Sequence, residues 1–242
     1  MKPPAGTRWL QWTALMAALA SPGMAADRTA FIQAYKGAPY ADSRLQGPQK
    51  IPGRVLCAYY DRGGEGLAYH DSDAKNHGSG ELNPADGNYL NEFRKGEGVD
   101  TSYTKFGRDP QIDDNPFQAI APAPDLLYVG WTEPGEWFNV TVDVAKTADY
   151  TVDLVYTSNR GGSIRLDLNG EAATDPISIE STYNPADPLA WRQWHHWNME
   201  RIARLHLEAG LNVVTVRILE QGNMNLAWLD FRKAKKERVG SR

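Results

Sequence analysis

Glu133 and Glu136, three residues apart in GWTEPGEW, are the nearest this chain comes to a catalytic pair. Hydrolysis of a glycosidic bond needs two carboxyl groups placed across the bond that breaks. Nothing accompanies them: the chain has no G-x-S-x-G elbow, no H-E-x-x-H zinc motif and no P-loop. The five histidines show no ligand spacing. His195 and His196 are adjacent, and strand neighbours point to opposite faces, which argues against a shared metal. Asp71 with Asp73, and Asp109 with Asp113 and Asp114, are dense enough in carboxylate to suggest a loop calcium. Hydrated surface charge is the stronger expectation for both groups.

The elements that must position these side chains read as strands. Phe138, Val140, Val142 and Val144 alternate with polar Asn139, Thr141 and Asp143. Tyr150, Val152, Leu154 and Tyr156 repeat the period, as do Ile164, Leu166 and Leu168 before an Asn169-Gly170 turn. Val214, Val216 and Ile218 repeat it again after Ala209-Gly210. Period-two alternation between short turns marks an all-β sandwich with one buried face per sheet. Helical periodicity is nearly absent; residues 198–207 could pass for a helix, but RIARLHL favours a strand. Three irregular segments, 71–94, 104–125 and 175–190, are long enough to be functional or disordered.

Composition narrows the class. Residues 1–25 read as an export signal: Lys2 and Arg8, then an apolar stretch over 9–20, then small residues at Gly23 and Ala25. That stretch is shorter than the roughly 20 apolar residues a membrane-spanning helix needs. The location expected is therefore secreted or periplasmic, with cleavage near Ala25. Without the two basic residues of this segment, 24 basic residues face 30 acidic ones, a net charge of −6. No basic field exists to hold nucleic-acid phosphates. Cys57 is the single cysteine, so no internal disulfide forms, and its place in VLCAYY reads as a small buried hydrophobe. Asn139-Val140-Thr141 fits the N-glycosylation pattern but falls on a strand and is discounted. Residues 26–50 read as an arm or linker, 51–233 as the domain, and 234–242 as a basic tail.

Three separated pieces resemble one family. IPGRVLCAYYDRGGEGLAYH at 51–70, VGWTEPGEWFNVTV at 129–142 and NLAWLDF at 225–231 are similar to the opening strand, central hairpin and closing strand of family 6 carbohydrate-binding modules. The resemblance implies an antiparallel two-sheet jelly roll of the galactose-binding-like kind. It also implies non-catalytic recognition of a poly- or oligosaccharide, with no membrane span, beside glycan-degrading enzymes. Sugars are held by an aromatic ring under the pyranose C–H face and by an amide that both donates and accepts. In the family's pattern an aromatic precedes Arg in a "Y-R…V-D" segment, which is Phe93 in FRKGEGVD, with Tyr89 nearby as a second choice. A tryptophan comes from "W-x-x-W", here Trp191 in WRQW, and an asparagine precedes the last strand, here Asn225. Trp131, Trp137, Trp194, Trp197 and Trp228 read as core.

The family's structural calcium is not expected. Its carboxylate positions fall on Leu56, Ala58 and Ala227, which leaves no anionic ligand, so neither metal nor cofactor is called for. Two rival functions remain: an adhesion or interaction sandwich that has lost its sugar slot, and a small glycoside hydrolase using Glu133 and Glu136.

Overall fold

The computed structural model describes residues 22–235, with side chains from Arg28 onward. In chain order the strands are β1 (Gln49–Ile51), β2 (Gly53–Leu56), β3 (Tyr69–His70), β4 (Thr101–Tyr103), β5 (Leu127–Val129) and β6 (Trp137–Val144). There follow β7 (Ala148–Ser158), β8 (Gly162–Leu168), β9 (Glu171–Ala172), β10 (Ile177–Ile179), β11 (Asn198–Leu207), β12 (Gly210–Glu220) and β13 (Met224–Lys233). One sheet runs β1-β6-β12-β8-β10, with β3 also on β6 and β9 on β8; the other runs β11-β7-β13-β5-β4, with β2 also on β13. Every pair is antiparallel except β1 with β6. This is the two-sheet all-β sandwich expected.

Register keeps the apolar rows aligned. Val140 lies opposite Val214, and Phe138 opposite Val216. On the far side of β12, Val216 lies opposite Leu166, and Ile218 opposite Ile164. A slip of one residue would turn all of these outward, so burial of the row sets the pairing. These side chains and those of Val152, Leu154 and Tyr156 from the other sheet form one buried cluster between the sheets. Asn169 and Gly170 sit at φ 52° and 85° between β8 and β9, the two-residue hairpin whose backbone twist matches the strands.

The structure adds elements at the N-terminal side. Helix α1 (Pro22–Ala34) was not anticipated, and it is docked rather than free. Arg28 donates to the carbonyls of Ala209 and Leu211 and pairs with Glu208 at 2.8 Å. The Tyr35 hydroxyl donates to buried Asp61 (2.9 Å), which also accepts the Thr141 amide and hydroxyl. A helix this short has little intrinsic stability, so tertiary docking forms it and periodicity does not announce it. Gln49 and Lys50, read as linker, join the first sheet. VLCAYY is not one strand: β2 ends at Leu56, and Cys57–Tyr59 form a 3-10 turn with the thiol buried. The 1–25 export segment falls mostly on residues 1–21, outside the described residues, and so does most of the basic tail. Among the described residues no helix is long and apolar enough to cross a membrane.

Candidate functional site

Phe93 is the first of the expected site residues to be corrected. It is 3% exposed, and its ring packs on Tyr40, Tyr59 and Tyr89 at centroid distances of 5.6, 5.1 and 5.5 Å. The N-terminal arm carries Tyr40 onto it, so no ring face is left for a ligand. Tyr89 is half-buried beside it; its hydroxyl donates to Asp42 at 2.5 Å, and the Arg44 guanidinium lies 3.9 Å from its ring centre. Both rings therefore belong to a structural cluster that fastens the arm to the insertion.

Trp191 is 44% exposed, on a 3-10 turn, Ala190–Trp194. The turn is held from inside. Asp187 accepts Nε of Arg192 (2.7 Å), Nε2 of His196 (2.8 Å) and the Leu189 amide (2.9 Å), all but the last from buried side chains. The Arg192 contact, opposed by burial and helped by the Leu189 and His196 hydrogen bonds, holds the Asp187 carboxyl well below its ordinary range. His195 points elsewhere, to Asp113 at 2.9 Å, so the two histidines do diverge. Asp113 is no hydrated surface charge: it is buried and also accepts the Trp197 indole N–H at 2.7 Å.

Asn225 is only 6% exposed. Its amide donates to the Trp194 carbonyl at 2.7 Å, and its Oδ1 lies so close to Gly130 that a Cβ there would come within 2.9 Å. It thus bridges the Trp191 turn and the loop that begins at Gly130. Of the four residues expected, Phe93 and Tyr89 come together in one cluster, while Asn225 is tied to the turn that carries Trp191.

The loop after Gly130 leads to a cleft the sequence did not signal. Its volume is about 400 Å³, and its walls are three segments far apart in the chain: 71–77 with Asp100, 131–136, and 221–223. Trp131 stands on its wall, half-buried rather than core, with its backbone at φ 48°. Positive φ in a bulky residue is a strained conformation that persists only where the surroundings impose it. Here they do: the Gly130 amide donates to Asp100 O (2.9 Å), and the Asn223 amide donates to Thr132 O. A further hydrogen bond from the Gly135 amide to Ile218 O (2.9 Å) closes the loop onto β12. Register shifts interrupt β12 between Ile218 and Glu220, and β13 between Leu226 and Trp228, on either side of the 221–223 turn. Bulges re-aim side chains at the ends of sheets, often beside binding sites.

The cleft is acidic. Burial, reinforced by Glu136, pushes the Asp71 carboxyl up to about 7, and burial pushes Asp100 up to about 6. Glu136 is also raised, first by burial. Its two oxygens accept the Ser72 amide (3.1 Å) and the Glu133 amide (2.7 Å), so the second residue of the supposed catalytic pair ties loop to loop. In the sequence Asp71 and Asp73 stood out only as a pair of surface carboxylates, and Asp100, far along the chain, was not connected with them. At the family's calcium positions, Ala58 and Ala227 are buried among apolar side chains and Leu56 packs against both clusters. Those side chains offer no oxygen ligand, and the family's calcium does not fit there.

A sandwich that gathers an indole, carboxylates and amides in loops at one end is, as a class, a ligand-binding module. Residues 118–233 match the family described as Carbohydrate binding module (family 6), and the match supports carbohydrate binding. It takes in Trp131, Glu136, Trp191 and Asn225, while Asp71, Asp100, Tyr89 and Phe93 lie before it. Among solved structures the chain is similar to a family 6 module from Clostridium stercorarium in complex with cellobiose, at 11% identity and TM-score 0.46, over 78% of this chain and 100% of that one. It is also similar to a β-1,3-glucan binding family 6 module from Bacillus halodurans (14%, TM-score 0.43, 76% and 98%). A family 35 module from Clostridium thermocellum is a further likeness (19%, TM-score 0.38, 48% and 84%). No curated protein matches.

Proposed function

We propose that this protein binds a poly- or oligosaccharide without cleaving it, and that the sugar lies in the cleft against Trp131. The observation that carries the reading is a half-exposed indole, held in a strained backbone, on the wall of a sugar-sized cavity rich in hydrogen-bonding groups. The indole supplies a flat apolar face, and Gln221, Asn223 and the carboxylates supply partners for hydroxyls. Trp191 is an exposed ring joined to the Trp131 loop through Asn225, and it suits a neighbouring unit of a chain. The protein is exported and works beside separate glycan-degrading enzymes. A single stacked ring implies weak binding, with dissociation constants of about 1 μM to 1 mM.

Gel retardation against xylan, β-glucan, agarose and chitin tests this. Trp131→Ala should lose most of the retardation shown by the wild type while its melting temperature moves little. If Trp191→Ala alone abolishes retardation, the sugar sits on the 190–194 turn and the cleft is not the site. Release of reducing sugar from a retarded polymer would overturn the non-catalytic reading.

A further inference from the structure

The cavity beside Trp131 carries charge of essentially one sign. Asp71, Asp73, Asp100, Glu133 and Glu136 line it, and no lysine or arginine does. His77 is the one basic side chain on its walls, and its ring nitrogens lie 3.1 Å from Asp73 and 3.0 Å from Glu81. Lys75, next along the loop, is bound to Glu81 at 2.7 Å. Neighbouring His70 is paired with Glu65.

Two of these five acids are already occupied, and Glu133 is exposed to water. Glu136 accepts two backbone amides, and Asp73 accepts the Lys75 amide and His77. Asp71 and Asp100 differ. Each accepts one backbone amide on Oδ1, from Asp73 (3.2 Å) and from His77 (2.5 Å). Their Oδ2 atoms accept no hydrogen bond from the described residues. Two partly buried carboxylates are thus left with acceptor capacity and with no cationic side chain bonded to them, in a cavity that also holds an indole.

Ligand chemistry can be sorted against that wall. A uronic acid or a sulfated sugar brings a further negative charge into an anionic pocket and is disfavoured. A neutral sugar can donate hydroxyl hydrogens but leaves the charge uncompensated. An ammonium group donates three hydrogens, neutralises charge and is attracted to an indole face. We propose that the saccharide taken by this cleft carries a protonated amine, as the 2-amino-2-deoxypyranose units of deacetylated chitin do. Asp71 and Asp100 accept from the ammonium, and Trp131 packs on the ring that bears it. The inference rests on the saccharide reading of the cleft and names the class of sugar.

The test is a titration of the full chain by intrinsic tryptophan fluorescence and calorimetry at pH 7, in EDTA. The ligands are glucosamine trimer, N-acetylglucosamine trimer, cellotriose and trilysine. Glucosamine trimer should bind roughly ten- to a hundredfold tighter than either neutral trimer, the range that charge-assisted hydrogen bonds support. Asp71→Asn combined with Asp100→Asn should erase that preference, bringing glucosamine trimer to the affinity of the neutral trimers, without lowering the melting temperature. Equal affinity for the three trimers would overturn the amine assignment and leave saccharide binding standing. Trilysine binding as tight as glucosamine trimer would also overturn it, since charge alone would then suffice. Binding that appears only when calcium replaces EDTA would overturn it in favour of a cation site. Failure of every trimer to bind would sink the saccharide reading itself.

Discussion

Asp71 shows how one side chain can trade stability for a binding surface. Its carboxyl is raised from 3.8 to about 7, first by burial and then by Glu136, so the folded chain holds that proton more tightly than the unfolded chain does. The sign follows by linkage: Asp71 favours folding at low pH, and this contribution fades as pH rises from about 4 to about 7. Asp100 acts the same way, up to about 6. Because Asp71 remains partly open to water, the ionised penalty is about 1 kcal/mol after solvent screening. Asp71→Asn should therefore raise the melting temperature at pH 8 and leave it unchanged at pH 4, measured by scanning calorimetry. A lower melting temperature at pH 8 would show that the carboxylate is stabilising as it stands.

At the scale of the element, exposed Trp191 and half-buried Trp131 are presented by different devices. Trp191 rides on a turn nailed down by Asp187, Arg192 and His196, all buried. Removing Asp187 strands the Arg192 charge inside without its partner. Asp187→Ala should cost about 3–5 kcal/mol in urea unfolding and change the emission of Trp191. Trp131 instead depends on backbone ties from its loop to β12, Asp100 and Asn223. Helix α1 and the arm act as a clasp, with Tyr35 on Asp61 and Tyr40 on Phe93. Tyr35→Phe deletes one hydrogen bond to a buried carboxylate and should lower stability by about 1–2 kcal/mol by the same urea measurement.

The whole molecule rests on one apolar layer between two sheets, without a disulfide to assist it. Leu154 belongs to it and is fully buried. Leu154→Ala should therefore cost about 2–5 kcal/mol, through lost transfer energy and the cavity left behind. Since the cleft is built from loops at the end of that layer, a variant still folded at room temperature should keep its saccharide affinity. Loss of affinity in parallel with stability would mean that loops and core do not act separately. Rigid layers with variable loops are a common division of labour, because loops can change without disturbing the packing that supports them.

From the order of residues alone came the sandwich, the strands from Phe138 to Ile218, the Asn169-Gly170 turn and the family. All of these depend on periodicity and local motifs that chain neighbours share. Trp191 and Asn225 each sit in a short motif and so stood out as candidates, and the Asn225 amide is engaged by the Trp194 carbonyl. Tertiary structure alone decided that Phe93 is covered, because Tyr40 reaches it from another segment. It alone decided that Asp71, Asp100, Trp131 and Asn223 share one cavity. A strand repeats every two residues and announces itself locally. A cleft made of three loops does not, since its members meet only after the sheets have paired and brought distant ends of the chain to the same edge.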